Sequence, residues 1–105
     1  MSKLGKSRGA DYEREICATL SDHLGTKVKR ILSQARDGGA DIEVPPFLIE
    51  CKRRRKIAVY EWLEQAQAAT EGTDRIPVVV ARADRKESIV ILRLTDALHL
   101  MQNEM

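Results

Sequence analysis

The sequence has few of the features that mark membrane-bound, secreted or disulfide-stabilised proteins. It has no long apolar run, and 32% of its residues are charged, which excludes a membrane span. It has only two cysteines, Cys17 and Cys51, and neither belongs to a CxxC pair, so we expect two reduced and largely buried thiols. The basic N-terminus has no apolar segment of the signal-peptide type. We therefore expect a cytoplasmic protein.

Several common ligand-binding motifs are also missing. No Gly-Lys-Ser/Thr sequence follows Gly38-Gly39, which excludes a phosphate-binding P-loop. His23 and His99 have no Cys or His partner at zinc-ligand spacing, so we assign both to the structure or the surface. The chain has no internal repeat and no low-complexity segment, and its 105 residues suffice for one small domain. We expect a basic flexible arm over residues 1–8 and a single domain over residues 9–105.

The charge of the chain is small but unevenly distributed. The net charge is +2, yet residues 1–56 hold 13 Lys or Arg against 8 Asp or Glu, whereas residues 57–105 hold 5 against 8. The N-terminal half is therefore basic and the C-terminal half is acidic. A basic surface suits a polyanionic partner such as nucleic acid.

The hydrophobic pattern predicts alternating helices and strands. In order, we expect a helix from Ala10 or Asp11 to Leu24, strands over 26–32, 41–44 and 47–52, a helix over 59–70, strands over 76–82 and 88–94, and a last helix over 96–102. Thr95 is predicted to cap that last helix, with Leu98 and Met101 facing inward. Short strands with helices on both sides predict an α/β fold, a three-layer sandwich around a central mixed β-sheet.

Residues 41–52 combine a predicted hairpin with a cluster of charges. Pro45-Pro46 separates two short runs, and a two-residue turn there places Asp41 opposite Glu50. Side chains alternate along a strand, so Lys52 lies on the same face as Glu50, while Cys51 points towards the core with Phe47 and Ile49. Two carboxylates and an ammonium are costly to hold together beside apolar residues, which indicates a functional site.

The first helix offers two further acids. Glu13 lies on the apolar stripe with Cys17 and Leu20, whereas Glu15 lies on the solvated face. An acid on an apolar stripe faces the core or a site at its edge. We therefore choose Glu13 as the functional candidate and interpret Glu15 as a surface charge.

This set of residues favours metal-assisted hydrolysis of a phosphodiester. Mg²⁺ prefers hard oxygen ligands, and Mn²⁺ can substitute for it. The predicted ligands are the carboxylates of Asp41 and Glu50 and the backbone carbonyl of Cys51, with Glu13 as a further ligand or acting through water. Lys52 would orient or deprotonate the attacking water and stabilise charge on the phosphate.

Cations flank the predicted site in the sequence. Five consecutive cations run from Lys52 to Lys56, and two readings stay open: a solvated surface, or contacts to DNA phosphates. The same two readings apply to Lys6 and Arg8, in the arm. The predicted DNA-binding residues are Lys6, Arg8, Ser33, Arg36, Arg53, Arg54, Arg55 and Lys56. Gln65 lies at the border of the apolar stripe of the predicted helix over 59–70. It could form a hydrogen bond with a phosphate or a water, although an exposed helical glutamine more often does neither.

These motifs resemble those of the PD-(D/E)XK nuclease superfamily. Asp41 matches its first acid, and Glu50-Cys51-Lys52 matches its E-x-K element. The segment from Lys6 to Glu15 resembles the opening of archaeal-type Holliday junction resolvases, in which a Glu-Arg pair matches Glu13-Arg14. Ser33 and Gln65 resemble a loop serine and a helical glutamine of such enzymes. The similarity extends over about residues 6–95.

The resemblance implies a restriction-endonuclease-like fold and a Mg²⁺-dependent DNA endonuclease. Its catalytic residues would be Glu13, Asp41, Glu50, Lys52 and Gln65. It further implies a homodimer that cuts branched DNA in recombination or repair, in a bacterial, archaeal or phage-infected cell. Three alternatives stay open: a general or flap-type nuclease of phage or restriction systems, an RNA-directed or transposon-associated nuclease of the same core, and a non-catalytic DNA-binding module.

Overall fold

A computed structural model describes residues 3–32 and 40–104 of the chain, with side chains from residue 9 onwards. Three helices and four strands are present in these residues. They are α1 (Lys3–Leu24), β1 (Ile42–Val44), β2 (Phe47–Arg54), α2 (Val59–Ala69), β3 (Ile76–Ala83), β4 (Ile89–Ile91) and α3 (Leu94–Asn103). None of these helices is long and apolar enough to cross a membrane. Ser33 and Arg36, which the sequence predicted to contact DNA, lie outside the described residues.

The four strands form one mixed sheet in the order β1-β2-β3-β4. The central pair, β2 and β3, is parallel over eight residues each, and α2 makes the crossover between them. The short outer strands β1 and β4 pair antiparallel with β2 and β3. The apolar run of β3 matches its interior position, because its residues from Pro77 to Ala81 are all buried.

Two hydrophobic cores lie on opposite faces of this sheet. The alternation of side chains along β3 divides them, since Val78 and Val80 face one core while Val79 and Ala81 face the other. Tyr12, Ile16 and Cys17 of α1 cover the first face together with Ile42 and Ile49. Trp62 and Ala66 of α2 cover the second face. The chain is therefore a three-layer α/β sandwich with a mixed sheet, as the sequence predicted.

The segment before the hairpin differs from the prediction of a strand over residues 26–32. It contains only an isolated bridge between Arg30 and Ile42, so it runs as irregular chain along the outer side of β1. One further backbone bond, from Ile31 N to Asp41 O at 2.8 Å, holds it there. Lys27 and Lys29 in this segment are exposed, which suits an irregular edge better than a buried sheet position. The helix before it ends at Leu24, the predicted last residue, and Gly25 follows with φ +71°.

Both terminal helices differ from their predicted bounds. Helix α1 begins at Lys3, whereas the sequence predicted an arm over residues 1–8 and a helix start at Ala10 or Asp11. Helix α3 begins at Leu94, one residue before the predicted cap Thr95. The residue at its N-cap is Arg93, whose side chain bonds Asp96 at 2.7 Å in the first turn. The flexible arm and the single nuclease domain over residues 9–105 stay predictions.

The packing of α3 contradicts the prediction that Leu98 and Met101 face inward. Their exposed fractions are 53% and 60%, and no residue of this helix is buried. The apolar spacing predicted an amphipathic helix correctly, but spacing alone does not say what covers the apolar face. In the described residues, the face lies open to solvent.

Candidate active site

The β1–β2 hairpin brings together the two acids that the sequence selected. Ile42 pairs with Ile49, so the register places Asp41 across from Glu50, one step further along. Asp41 N donates a 2.9 Å hydrogen bond to Ile49 O and continues the pairing beyond the end of β1. The turn at Pro45-Pro46 therefore has the two-residue length on which the prediction depended.

The carboxylate of Asp41 is held against the backbone of β2. Asp41 is 8% exposed, and its Oδ2 accepts a 2.8 Å hydrogen bond from Cys51 N. A backbone N–H is a donor that fixes a carboxylate in direction and favours its charged form. The N–H and C=O of one strand residue point towards the same neighbour. The Cys51 carbonyl therefore lies on the Asp41 side of β2, as its predicted role as a ligand requires.

Glu50 and Lys52 share the opposite face of β2 from Cys51. Their register partners on β3 are Val79 and Ala81, which belong to the core under α2. Glu50 is half-buried, with its Oε1 shielded from solvent. Lys52 is also half-buried, and it makes no hydrogen bond or ion pair with any side chain that the structure describes. Its ammonium is available to a substrate beside Glu50.

Glu13 of helix α1 is buried, as its place on the apolar stripe predicted. It is 8% exposed, and its Oε1 accepts a 2.9 Å hydrogen bond from Arg30 Nε. The two side chains form an ion pair in which both partners are largely buried. Arg30 balances the charge of Glu13 and fixes its direction.

Sequence reasoning missed Arg30, which lies in the predicted strand over 26–32 and was not singled out there. Arg30 is 17 residues from Glu13, and their contact depends on the docking of the chain beside β1 against α1. A usable signal existed: a buried acid on an apolar stripe needs a cation, and the predicted edge segment after α1 holds three.

The thiol of Cys51 lies in an apolar and acidic environment. Burial raises its pKa well above the ordinary value of 9.0, and the charges of Asp41, Glu13 and Glu50 raise it further, together with Cys17. Asp41 is the strongest of these charges, in agreement with its hydrogen bond to Cys51 N. Cys51 consequently stays a neutral thiol at physiological pH and acts as a spacer between the acids rather than as a nucleophile.

The remaining predicted residues surround this cluster less closely. Gln65 lies on α2, the helix that covers the Glu50 face, but its side chain is exposed and makes no hydrogen bond within the described residues. Three predicted DNA-binding cations are exposed where β2 ends: Arg54, Arg55 and Lys56. Arg53, the fourth, is half-buried. Lys6 and Arg8 lie in the first turns of α1, in the part whose side chains are not described.

The donor set suits a hard divalent cation, although no preformed cage is present. Among residues 9–32 and 40–104, no group of three or more His, Cys, Asp and Glu side chains has the arrangement of a metal cage. Asp41 and Glu13 each accept a hydrogen bond from a donor of the protein, which fixes the orientation of both carboxylates. Carboxylate and carbonyl oxygens without His or thiolate ligands favour Mg²⁺ or Mn²⁺ over zinc. Because Mg²⁺ keeps several waters, it does not require an all-protein cage.

Comparison with known proteins identifies the family of the chain. A protein-family model described as "Phage putative PDDEXK endonuclease" matches residues 5–105, nearly the whole chain. No significant match was found among curated proteins or among solved structures. The matched region contains the hairpin with its E-x-K element and the helix that carries Glu13. The chain belongs to this family of PD-(D/E)XK phage endonucleases.

Proposed function

We propose that this endonuclease depends on a divalent metal and cuts branched DNA in the cytoplasm of a bacterial, archaeal or phage-infected cell. The observation that carries the proposal is the hairpin register, which pairs the buried Asp41 with Glu50 and places Lys52 on the same face of β2 as Glu50. Two acids held side by side in a partly buried position are costly without a cation. A purely DNA-binding protein gains nothing from carboxylates near phosphates, which argues against the non-catalytic alternative.

Asp41 and Glu50 would hold the metal, with the Cys51 carbonyl as a third ligand. Mg²⁺ is the proposed ion, and Mn²⁺ is its proposed substitute. When bound, the ion would polarise the scissile phosphate and favour ionisation of an attacking water. The protein contributes preorganisation, because the Cys51 N–H already fixes the orientation of the Asp41 carboxylate. Glu13 would act from α1, directly or through a water, with Arg30 holding its other side.

Lys52 would act on the phosphate and on the attacking water. Its side chain stands two positions after Glu50 on the same face of β2. An ammonium at that position can donate hydrogen bonds to a phosphate oxygen, where negative charge grows during the reaction. It can also orient the water that attacks phosphorus. Gln65 on the neighbouring helix α2 is proposed as a further donor to phosphate or water.

The basic run after Lys52 would hold the DNA at this site. Arg54, Arg55 and Lys56 are exposed where β2 ends, so their cations are free to contact phosphates along a DNA backbone. Such contacts position a duplex without reading its sequence. They therefore suit an enzyme that selects the shape of its DNA, and branched DNA is the proposed substrate class. Lys6, Arg8, Ser33 and Arg36 are proposed to add to this surface.

A cleavage panel tests the proposed function. Labelled four-way junction, flap and linear duplex DNA, and an RNA strand, are incubated with the protein in Mg²⁺, Mn²⁺ or EDTA. We expect cleavage in Mg²⁺ and Mn²⁺, fastest on the junction, and no cleavage in EDTA. Equal cleavage of all DNA forms would support a general nuclease instead of a branch-specific one. Binding without cleavage of any substrate would contradict the enzyme assignment.

We further propose that two copies associate through β4 and α3. Strand β4 is an edge of the sheet, and Val90 on it is 62% exposed. Leu94, Leu98 and Met101 recur on one face of the adjacent helix and are at least half exposed. An unpaired strand edge and an apolar helix face are self-complementary across a two-fold axis, where two β4 edges can pair antiparallel. Such a dimer would carry two active sites.

Replacing Leu98 by glutamate is expected to convert a dimer into monomers, because it places a charge in the apolar contact. Sedimentation equilibrium over a range of protein concentrations measures this change. The matched control is Asn103→Glu, which adds the same charge to an exposed position on the opposite side of α3 and should leave the dimer intact. A wild-type chain that stays monomeric at all concentrations would contradict the proposed association.

A further inference from the structure

Two arginines lie side by side where β2 and β3 end, on the face that α1 covers. Arg53 and Arg82 are register partners in the parallel pair. The alternation along β2 places Arg53 on the same face as Cys51, and the contact of Arg82 with Tyr12 places it on the same face as α1. Neighbouring strands lie only about 4.8 Å apart. The two side chains therefore start from adjacent backbone positions on one face, from which both guanidinium groups can reach one anion.

Arg82 is held in place by the protein before any ligand binds. Its Cζ lies 5.5 Å from the centre of the Tyr12 ring, within the range of a cation–π contact. Its Nη1 donates a 3.2 Å hydrogen bond to Glu15, so Glu15 is more than the isolated surface charge that the sequence indicated. Tyr12 is itself fixed by a 2.8 Å hydrogen bond with Ser88. The other donors of this guanidinium stay available.

Arg53 differs from Arg82 within the part of the chain that the structure describes. Its Nε is shielded from solvent and has no hydrogen-bond acceptor among those residues. Three acids of α1 are each bonded to another arginine: Asp11 to Arg14, Glu13 to Arg30 and Glu15 to Arg82. Buried polar groups in folded proteins nearly always have a partner, so a shielded donor without one indicates a missing ligand.

We infer that Arg53 and Arg82 together bind one phosphate of the DNA beside the active site. Guanidinium groups bind phosphate through paired, charge-assisted hydrogen bonds, and two of them in register offer donors from both sides. Arg53 stands two residues after Cys51 on the same face of β2, and Tyr12 directly precedes Glu13, so this phosphate site lies on the α1 side of the sheet, opposite Lys52 and next to the Glu13 side of the candidate cluster. The inference rests on the proposed function. It adds Arg82, which is not part of the basic run after Lys52, to the surface that contacts DNA.

DNA binding in EDTA tests this inference independently of cleavage. Fluorescence anisotropy with a labelled duplex gives the dissociation constant at a series of salt concentrations for the wild type, Arg53→Gln, Arg82→Gln and the double variant. Each neutralised phosphate contact contributes about 0.9 to the slope of log K against log salt. We expect each single variant to bind several-fold more weakly. We also expect the double variant to lower this slope by about 0.9, the contribution of one phosphate contact rather than two, because both arginines share a phosphate.

Arg75→Gln is the matched control, because Arg75 is also ion-paired with a surface glutamate, Glu43 at 2.9 Å, but precedes the opposite end of β3. Arg82→Lys keeps the charge without the paired donors and is expected to bind at intermediate strength. Thermal melts followed by circular dichroism verify that each variant is folded, and Arg53→Gln tests the site even if Arg82→Gln unfolds. If both Gln variants bind like Arg75→Gln, the inference is wrong while the proposed function stands. A wild type that binds no DNA at low salt would overturn both.

Discussion

Replacing Asp41 by asparagine is expected to lower the rate of DNA cleavage by about a thousandfold while leaving the fold intact. Asparagine keeps an oxygen that can accept the hydrogen bond from Cys51 N, so the local structure of the hairpin should persist. It lacks the negative charge that a divalent cation requires. Single-turnover cleavage of a junction substrate in Mg²⁺ measures the first effect, and urea unfolding measures the second.

The alanine variant at the same position separates catalysis from structure. Asp41→Ala removes the acceptor as well as the charge, so it should lose cleavage and also about 1–3 kcal/mol of the free energy of unfolding, because Cys51 N is left without a partner. Glu43→Gln is the control, since Glu43 is an exposed acid two residues away in the same hairpin. Cleavage at the wild-type rate by Asp41→Asn would show that Asp41 holds no metal.

Replacing Arg30 by methionine is expected to destabilise the fold by about 3 kcal/mol. The side chain of Glu13 is only 10% exposed, and the variant removes the cation that balances its charge. The loss should appear as a lower urea midpoint with an unchanged m-value. Neutralising Glu13 at the same time, in Glu13→Gln/Arg30→Met, should recover most of the lost stability, because no uncompensated charge remains.

Arg14→Met is the control for this experiment. Arg14 forms an ion pair with Asp11 in which both side chains are mostly exposed, and such pairs contribute less than about 1 kcal/mol. If Arg30→Met is as stable as Arg14→Met, the Glu13–Arg30 pair does not hold the buried acid. Failure of the double variant to regain stability would instead assign the loss to the packing of the Arg30 stem.

The hairpin site was predictable because its geometry is local. Side-chain alternation places Glu50 and Lys52 on one face of any regular strand, and a two-residue turn fixes Asp41 opposite Glu50. The two layers of helices could also be predicted, because β3 is apolar on both faces and must be covered twice. The helical period also predicted that Glu13 faces the core, because a residue on the apolar stripe of a helix points away from solvent.

The partners of these residues could not be predicted, because they depend on tertiary contacts. Arg30 meets Glu13 only after the irregular segment docks beside β1, and no periodic pattern describes that docking. Arg53 and Arg82 become neighbours only through the parallel register across the α2 crossover. The exposed apolar face of α3 has the same spacing as a core-facing helix, so the sequence cannot say whether this chain or another one covers it.

The most direct test of the proposed mechanism compares the wild type with Glu50→Gln on a four-way junction in Mg²⁺. Glutamine has nearly the same shape as glutamate, but it lacks the charge that the metal requires. We predict that the wild type cuts the junction, that EDTA stops it, and that Glu50→Gln binds the same DNA with at least equal affinity and does not cut. Cleavage by Glu50→Gln at the wild-type rate would contradict the assignment of the Asp41–Glu50–Lys52 cluster as the catalytic site.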